Sequence, residues 1–187
     1  MRHEVGDLDR KKAGTRACGA CHTPAITVKF GLIIFEEHTV LYYFAYGSNM
    51  DWPQMRRRCP SSRFVCVARL PDYRFAIARH SRLRNCGTAN IFLETGCEVW
   101  GIVYDVSDCD FLTLDGFEDG YRREKVFVYD RNDGHHPMVV LAYIAARENG
   151  VPLPNPEYKR LILAGARHWR LPPDYCAMLE RIEVAKL

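Results

Sequence analysis

Two short stretches of this chain hold side chains that can do chemistry together. The first is Tyr46-Gly47-Ser48-Asn49, directly after the apolar run Val40–Ala45. Small residues between a strand and a helix let several backbone N–H groups point one way, and such a turn holds carboxylates or phosphates. The Ser48 hydroxyl and Asn49 amide add further donors. The second stretch is Leu114-Asp115-Gly116-Phe117-Glu118, about seventy residues further on. An anion-holding turn and a carboxylate in one small domain suit proton transfer on an anionic substrate.

The run before Tyr46 reads as a buried strand. A short helix starts near Asp51, with Pro53 in its first turn, where the missing N–H is tolerated. Ser107 with Asp110 three residues later resembles a capping box and opens a helix from about Ser107 to Phe117. Along it Phe111, Leu114, Asp115 and Glu118 fall at i, i+3, i+4 and i+7. Glu118 is therefore expected on or near the apolar face, at the C-terminal end. Partial burial and the negative end of the helix dipole both disfavour its charged form. A carboxyl raised toward neutrality is what proton transfer near pH 7 requires. The plain alternative is a solvated glutamate at a frayed helix end. For Asp115 the plain reading is a local hydrogen-bonding or capping aspartate.

Bulk properties set the limits. The 187 residues allow one domain with a substantial core. A composition of 48% apolar and 26% charged residues is ordinary for a globular chain. A net charge of +3 is too small to imply nucleic-acid or membrane binding by charge alone. No apolar run approaches the ~18 residues of a membrane span. The polar N-terminus does not read as a secretory signal. The eight cysteines are scattered, and most read as buried small hydrophobes in a reducing cytoplasm.

Residues 1–38 read as a polar, flexible N-terminal extension, and 39–187 as the folded domain. From Thr39 the pattern is β-rich. Phe64–Leu70 and Tyr73–Ala78 are expected to pair around Pro71-Asp72, and Thr88–Leu93 with Val99–Val106 around Thr95-Gly96. Val99–Val106 is apolar on both faces and should be central. Lys125–Tyr129 and Met138–Ile144 read as a hairpin around Asn132-Asp133-Gly134. Tyr158–Trp169 is the best long helix, ended by Pro172-Pro173, with a last helical piece through Leu179. The order implies an α+β fold with a closed or nearly closed, largely antiparallel sheet and helices outside.

Taken together, several motifs resemble the γ-glutamylcyclotransferase-like family. They are Tyr46–Asn49, Glu98-Val-Trp-Gly-Ile-Val-Tyr104, Leu114-Asp115 with Glu118, and Tyr121-Arg-Arg-Glu124. The tail adds Pro154-Asn-Pro-Glu-Tyr-Lys159, Gly165-Ala166 and Leu171-Pro-Pro-Asp-Tyr175. The resemblance implies a small mixed β-barrel flanked by helices. It implies an enzyme that releases 5-oxoproline and a free amine from a γ-glutamyl small molecule by acyl-transfer cyclisation, with no metal or cofactor. Glu118 would be the acid/base. Tyr46, Gly47, Ser48 and Asn49 would hold the glutamyl α-carboxylate and the γ-carbonyl, and Tyr121 would line the pocket. Two departures stand out: a short loop Asp119-Gly120-Tyr121 after Glu118, and Arg147 near where some members carry a pocket aromatic. γ-Glutamyl amino acids, glutathione, γ-glutamyl-lysine amines and acylated natural products stay open as substrates, as do monomer and homodimer. The alternative is a non-catalytic module that kept the pocket and binds a γ-glutamyl metabolite or partner.

Other signals read as bland. Cys18-Gly-Ala-Cys21-His22 matches a haem c attachment pattern, a half zinc site or a redox pair, with two free thiols as the plain reading. Arg56-Arg57-Arg58 reads as a solvated helix face that could favour an acidic leaving group. His135-His136 reads as plain loop. Ser48 has no His-Asp pair to make it a nucleophile. Trp52, Trp100 and Trp169 read as core.

Overall fold

The computed structural model describes residues 41–186 and two short strands before them, β1 (Val28–Lys29) and β2 (Leu32–Ile33), which pair antiparallel. Cys18, Cys21 and His22 lie outside the described residues. The unit from Thr39 to Leu187 is considered by itself.

Its frame is a closed five-stranded barrel in the order β3-β5-β4-β6-β7. The strands are β3 (Leu41–Ala45), β4 (Arg63–Ser81), β5 (Cys86–Val106), β6 (Tyr121–Asp130) and β7 (Pro137–Ala145). All neighbours run antiparallel except β3 and β7, which close the barrel in parallel through Tyr43 and Leu141. The second half of β5 lies between β3 and β4, which explains its two apolar faces. Four helices are added: α1 (Trp52–Arg58), α2 (Asp108–Asp115), α3 (Pro156–His168) and α4 (Pro173–Glu180). A single 3-10 turn, Ser48–Met50, joins β3 to α1. Phe44, Met50, Ile91, Ile102, Phe111 and Leu114 are fully buried in the core.

The two expected early hairpins are one. Pro71-Asp72 and Thr95-Gly96 do not reverse the chain; they bend it. The register passes from Pro71↔Glu98 to Tyr73↔Leu93, so Glu94–Cys97 lie opposite the single residue Asp72. Both strands take a left-handed residue there, Asp72 (φ 59°) and Gly96 (φ 83°). The Gly96 N–H donates to Asp72 Oδ1 at 2.9 Å. Paired bulges of this kind coil a long ribbon so that one hairpin serves two sides of a barrel. The true reversal is at Arg82–Asn85, with Asn85 left-handed (φ 48°). The Lys125–Tyr129 and Met138–Ile144 pair is the hairpin expected, as β6 and β7.

The helices obey their local signals. Asp51 caps α1 by accepting from Gln54 N at 2.9 Å, and Ser107 caps α2 by accepting from Asp110 N at 3.1 Å. The Asp110 carboxylate does not close a capping box but takes the Ser61 hydroxyl. Asn155 caps α3 at Tyr158 N, 2.7 Å. Its buried stripe, Leu161, Ile162, Gly165 and Ala166, lies against the 3-10 turn. Trp169 fastens the same turn, its Nε1–H donating to Met50 O at 2.9 Å.

Candidate active site

A cleft opens where the 3-10 turn, the end of α1, the loop after α2 and the Arg82–Asn85 reversal meet. Six residues singled out in the sequence line it: Tyr46, Gly47, Ser48, Asn49, Glu118 and Tyr121. Their meeting is a product of the barrel, because one stretch precedes the β4–β5 ribbon in the chain and the other follows it.

Glu118 is partly exposed and lies beyond the last turn of α2, not within it. Its N–H donates to Asp115 O at 3.3 Å, and its carbonyl accepts from Tyr121 N at 3.0 Å. The intervening Gly120 has φ 78°, and a Cβ there would meet the Arg79 guanidinium at 1.9 Å. The positive φ is what favours glycine there. The carboxyl of Glu118 is pushed up to about 7, chiefly by burial. Arg58, the Asn49 hydrogen bond and Arg84 oppose the rise without cancelling it, and Asp115 adds to it.

Asn49 is the polar centre of the turn. Its amide nitrogen donates to Glu118 Oε1 at 3.2 Å and to Tyr43 OH at 2.9 Å. Its oxygen accepts from Arg58 at 2.9 Å and from Gln54 at 3.2 Å. Ser48 Oγ accepts from Gln54 at 3.0 Å and from Arg84 at 3.4 Å. Within the turn, Met50 N and Asp51 N donate back to Gly47 O and Ser48 O. Gly47 lets the wall come close: a Cβ there would meet Ala89 Cβ and Tyr158 OH, each at 3.3 Å.

Tyrosines form the far wall. Tyr121 OH donates to Ala89 O at 2.6 Å and lies 3.1 Å from Thr88 Oγ1. Tyr158 OH accepts from Ala89 N at 2.9 Å. Tyr46 OH donates to Tyr143 O. Asp115 is tied up structurally: it pairs with Arg123 and accepts from Tyr143 OH at 2.7 Å. The Arg123 bond holds its carboxyl below the usual range.

Two arginines in the cleft were not foreseen there. Arg58 belongs to a run whose other members, Arg56 and Arg57, are exposed, but it turns inward, with its guanidinium 4.1 Å from the Phe117 ring. The signal was its i+4 spacing from Gln54 on the capped helix. Arg84 comes from the tip of the β4–β5 hairpin, which could not be located while that ribbon was read as two hairpins. Among the described residues neither arginine belongs to an ion pair. Trp52, Trp100 and Trp169 pack against the core. His135 and His136 sit in the exposed β6–β7 turn.

Known proteins share the sequence and the fold. The AIG2-like family matches residues 98–179. The mouse protein "Gamma-glutamylcyclotransferase" is 32% identical over 155 residues, covering 79% of this chain and 81% of its own. Its human counterpart is 32% identical over 156 residues with the same coverage. A solved structure titled "Gamma-glutamyl cyclotransferase" superposes with a TM-score of 0.71 at 32% identity, covering 79% of this chain and 90% of that one. Alike in sequence and in fold to these proteins over most of its length, this chain belongs to the γ-glutamylcyclotransferase family.

Proposed function

We propose that the chain cyclises the glutamyl group of a γ-glutamyl compound, releasing 5-oxoproline and a free amine or amino acid, with Glu118 as general acid and base. The observation that carries this reading is the Glu118 carboxyl, raised to about 7 and held by Asn49 of the turn beside Arg58 and Arg84, which belong to no ion pair among the described residues. A surface glutamate has no such surroundings, and a pure binding site has no use for a proton carrier tuned to neutral pH.

In this mechanism the 3-10 turn holds the glutamyl chain. The first N–H groups of a helical turn lack partners inside it, and those of Gly47, Ser48 and Asn49 face the substrate's anionic end or its γ-carbonyl. The glutamyl chain lies folded, its α-nitrogen near its γ-carbon. Well-oriented intramolecular reactions reach effective molarities of ~10⁵ M or more. Glu118, as carboxylate, takes a proton from the α-ammonium. The freed amine attacks the γ-carbonyl carbon, the new C–N bond closes a five-membered ring, and charge collects on the carbonyl oxygen. A turn N–H aimed at that oxygen contributes ~3 kcal/mol. Collapse breaks the original amide bond, and Glu118 returns a proton to the departing nitrogen. The attacking nitrogen sheds the protons that the leaving amine gains, so no water or electron is consumed. Tyr121 forms the pocket wall.

The proposal places this activity in residues 39–187 and in a reducing, cytoplasmic setting, supported by the six described cysteines, all free. No described helix is long and apolar enough to cross a membrane. A panel of γ-glutamyl amino acids, glutathione, γ-glutamyl amines and acylated amines, assayed for 5-oxoproline by mass spectrometry, tests the reading. One or more members should yield 5-oxoproline; a folded protein silent on all of them contradicts it and leaves a binding module.

A further inference from the structure

The proton carrier is only as well placed as the amide that holds it, and an asparagine amide can turn over. In one orientation Asn49 offers N–H to Glu118; in the other it offers a carbonyl oxygen, which a carboxylate repels. What decides is the partner of its oxygen. α1 brings two donors to that atom, Gln54 Nε2 at 3.2 Å and Arg58 at 2.9 Å. They are four residues apart on one helical face, as such a pair must be.

Gln54 is the better fixed of the two. It is 6% exposed. Its backbone N–H is taken by the Asp51 cap at 2.9 Å, and its side-chain oxygen accepts from Arg84 at 2.8 Å. That last bond determines which end of the Gln54 amide is nitrogen, and so which end faces Asn49. The sense of each amide is thus handed inward from a guanidinium, which can only donate.

We propose that Gln54 is a positioning residue for the acid/base carboxyl: held by Arg84, it joins Arg58 in locking the Asn49 amide with its nitrogen toward Glu118. The inference rests on the proposed role of Glu118, but its test need not. Other charged groups facing the carboxyl are Arg58 from α1, Arg84 from the β4–β5 tip, Asp115 from α2, and Asp119 beside it in the cleft. Tyrosines face it too: Tyr43 and Tyr46 around β3, Tyr121 from β6, Tyr143 from β7 and Tyr158 from α3. Burial and Glu118 itself keep these phenols protonated. A change in the Asn49 bond is therefore read against a fixed background.

The experiment is a carboxyl ¹³C NMR titration of Glu118, its signal assigned by loss in Glu118→Gln. In Gln54→Met, the Glu118 midpoint should rise by about half to one pH unit, the size of one hydrogen bond to a charged group. In an Asn49→Leu background the Gln54→Met change should add little, since its effect passes through Asn49. An unmoved midpoint in folded Gln54→Met, or an equal shift in both backgrounds, overturns the proposal. If Gln54→Met does not fold, Gln54→Ala takes its place: the same rise in the Glu118 midpoint is expected, and an unmoved midpoint in that folded variant overturns the proposal. A loss of 5-oxoproline release in Glu118→Gln is a separate result, so failure of the activity and failure of the positioning role are distinguished.

Discussion

At the scale of single residues, Glu118 is a carboxyl that the fold makes harder to ionise. Burial is the larger influence, and the cations and Asn49 offset only part of it. This has a cost that can be measured. The folded protein holds the Glu118 proton more tightly than the unfolded chain, whose value is near 4.5 against about 7 in the fold. The stability contributed by this group is fully present below pH 4.5, and is lost as pH rises to about 7. Glu118→Gln keeps the shape and removes the charge. Its unfolding free energy should match the wild type near pH 4.5 and exceed it above pH 7 by up to about 3 kcal/mol. Equal stability of the two proteins across that range would mean that Glu118 is not held in a desolvating site. Activity should show the mirror image. kcat/KM should rise through about pH 7, because the free enzyme must carry a carboxylate to accept the first proton.

At the scale of elements, the anion-holding turn is placed by α3. A Cβ at Gly165 would lie 2.4 Å from the Met50 carbonyl carbon. A helical Gly→Ala change ordinarily gains up to about 1 kcal/mol from propensity. At Gly165 the sign should reverse: Gly165→Ala should lose about 1–3 kcal/mol in chemical denaturation, and should slow turnover by shifting the turn. A stabilised, fully active Gly165→Ala would show that α3 does not seat the turn. Much of this level was legible beforehand. The helix start near Asp51 with Pro53 in its first turn, the Ser107 cap and the Leu161-Ile162 stripe are local signals, and local physics formed those helices. The β4–β5 ribbon was not legible, because Pro71-Asp72 and Thr95-Gly96 have the composition of turns and act as opposed bulges. Turn chemistry specifies left-handed residues but not whether the chain reverses or bends there. Arg84 was hidden by the same ambiguity. Helical spacing puts Glu118 on the apolar face at the end of α2, yet its place beyond that helix depends on the left-handed turn at Gly120.

At the scale of the molecule, a closed barrel makes the cleft possible. The parallel contact between β3 and β7 shuts the sheet. It brings the turn after β3 beside the loop that enters β6. The cleft is lined by residues from Tyr43 to Tyr158, all within the unit from Thr39 to Leu187. A chain beginning at Thr39 should therefore retain 5-oxoproline release within a few-fold of the full chain in a side-by-side assay; loss of activity in that folded fragment would give residues 1–38 a part in the reaction. The measurement that bears most directly on the whole account is the initial rate of 5-oxoproline release at pH 8, for wild type and Glu118→Gln, on whichever γ-glutamyl compound the panel selects. The account predicts a fall of about 10²–10⁴-fold in a variant that remains folded. Turnover by Glu118→Gln at the wild-type rate would contradict it.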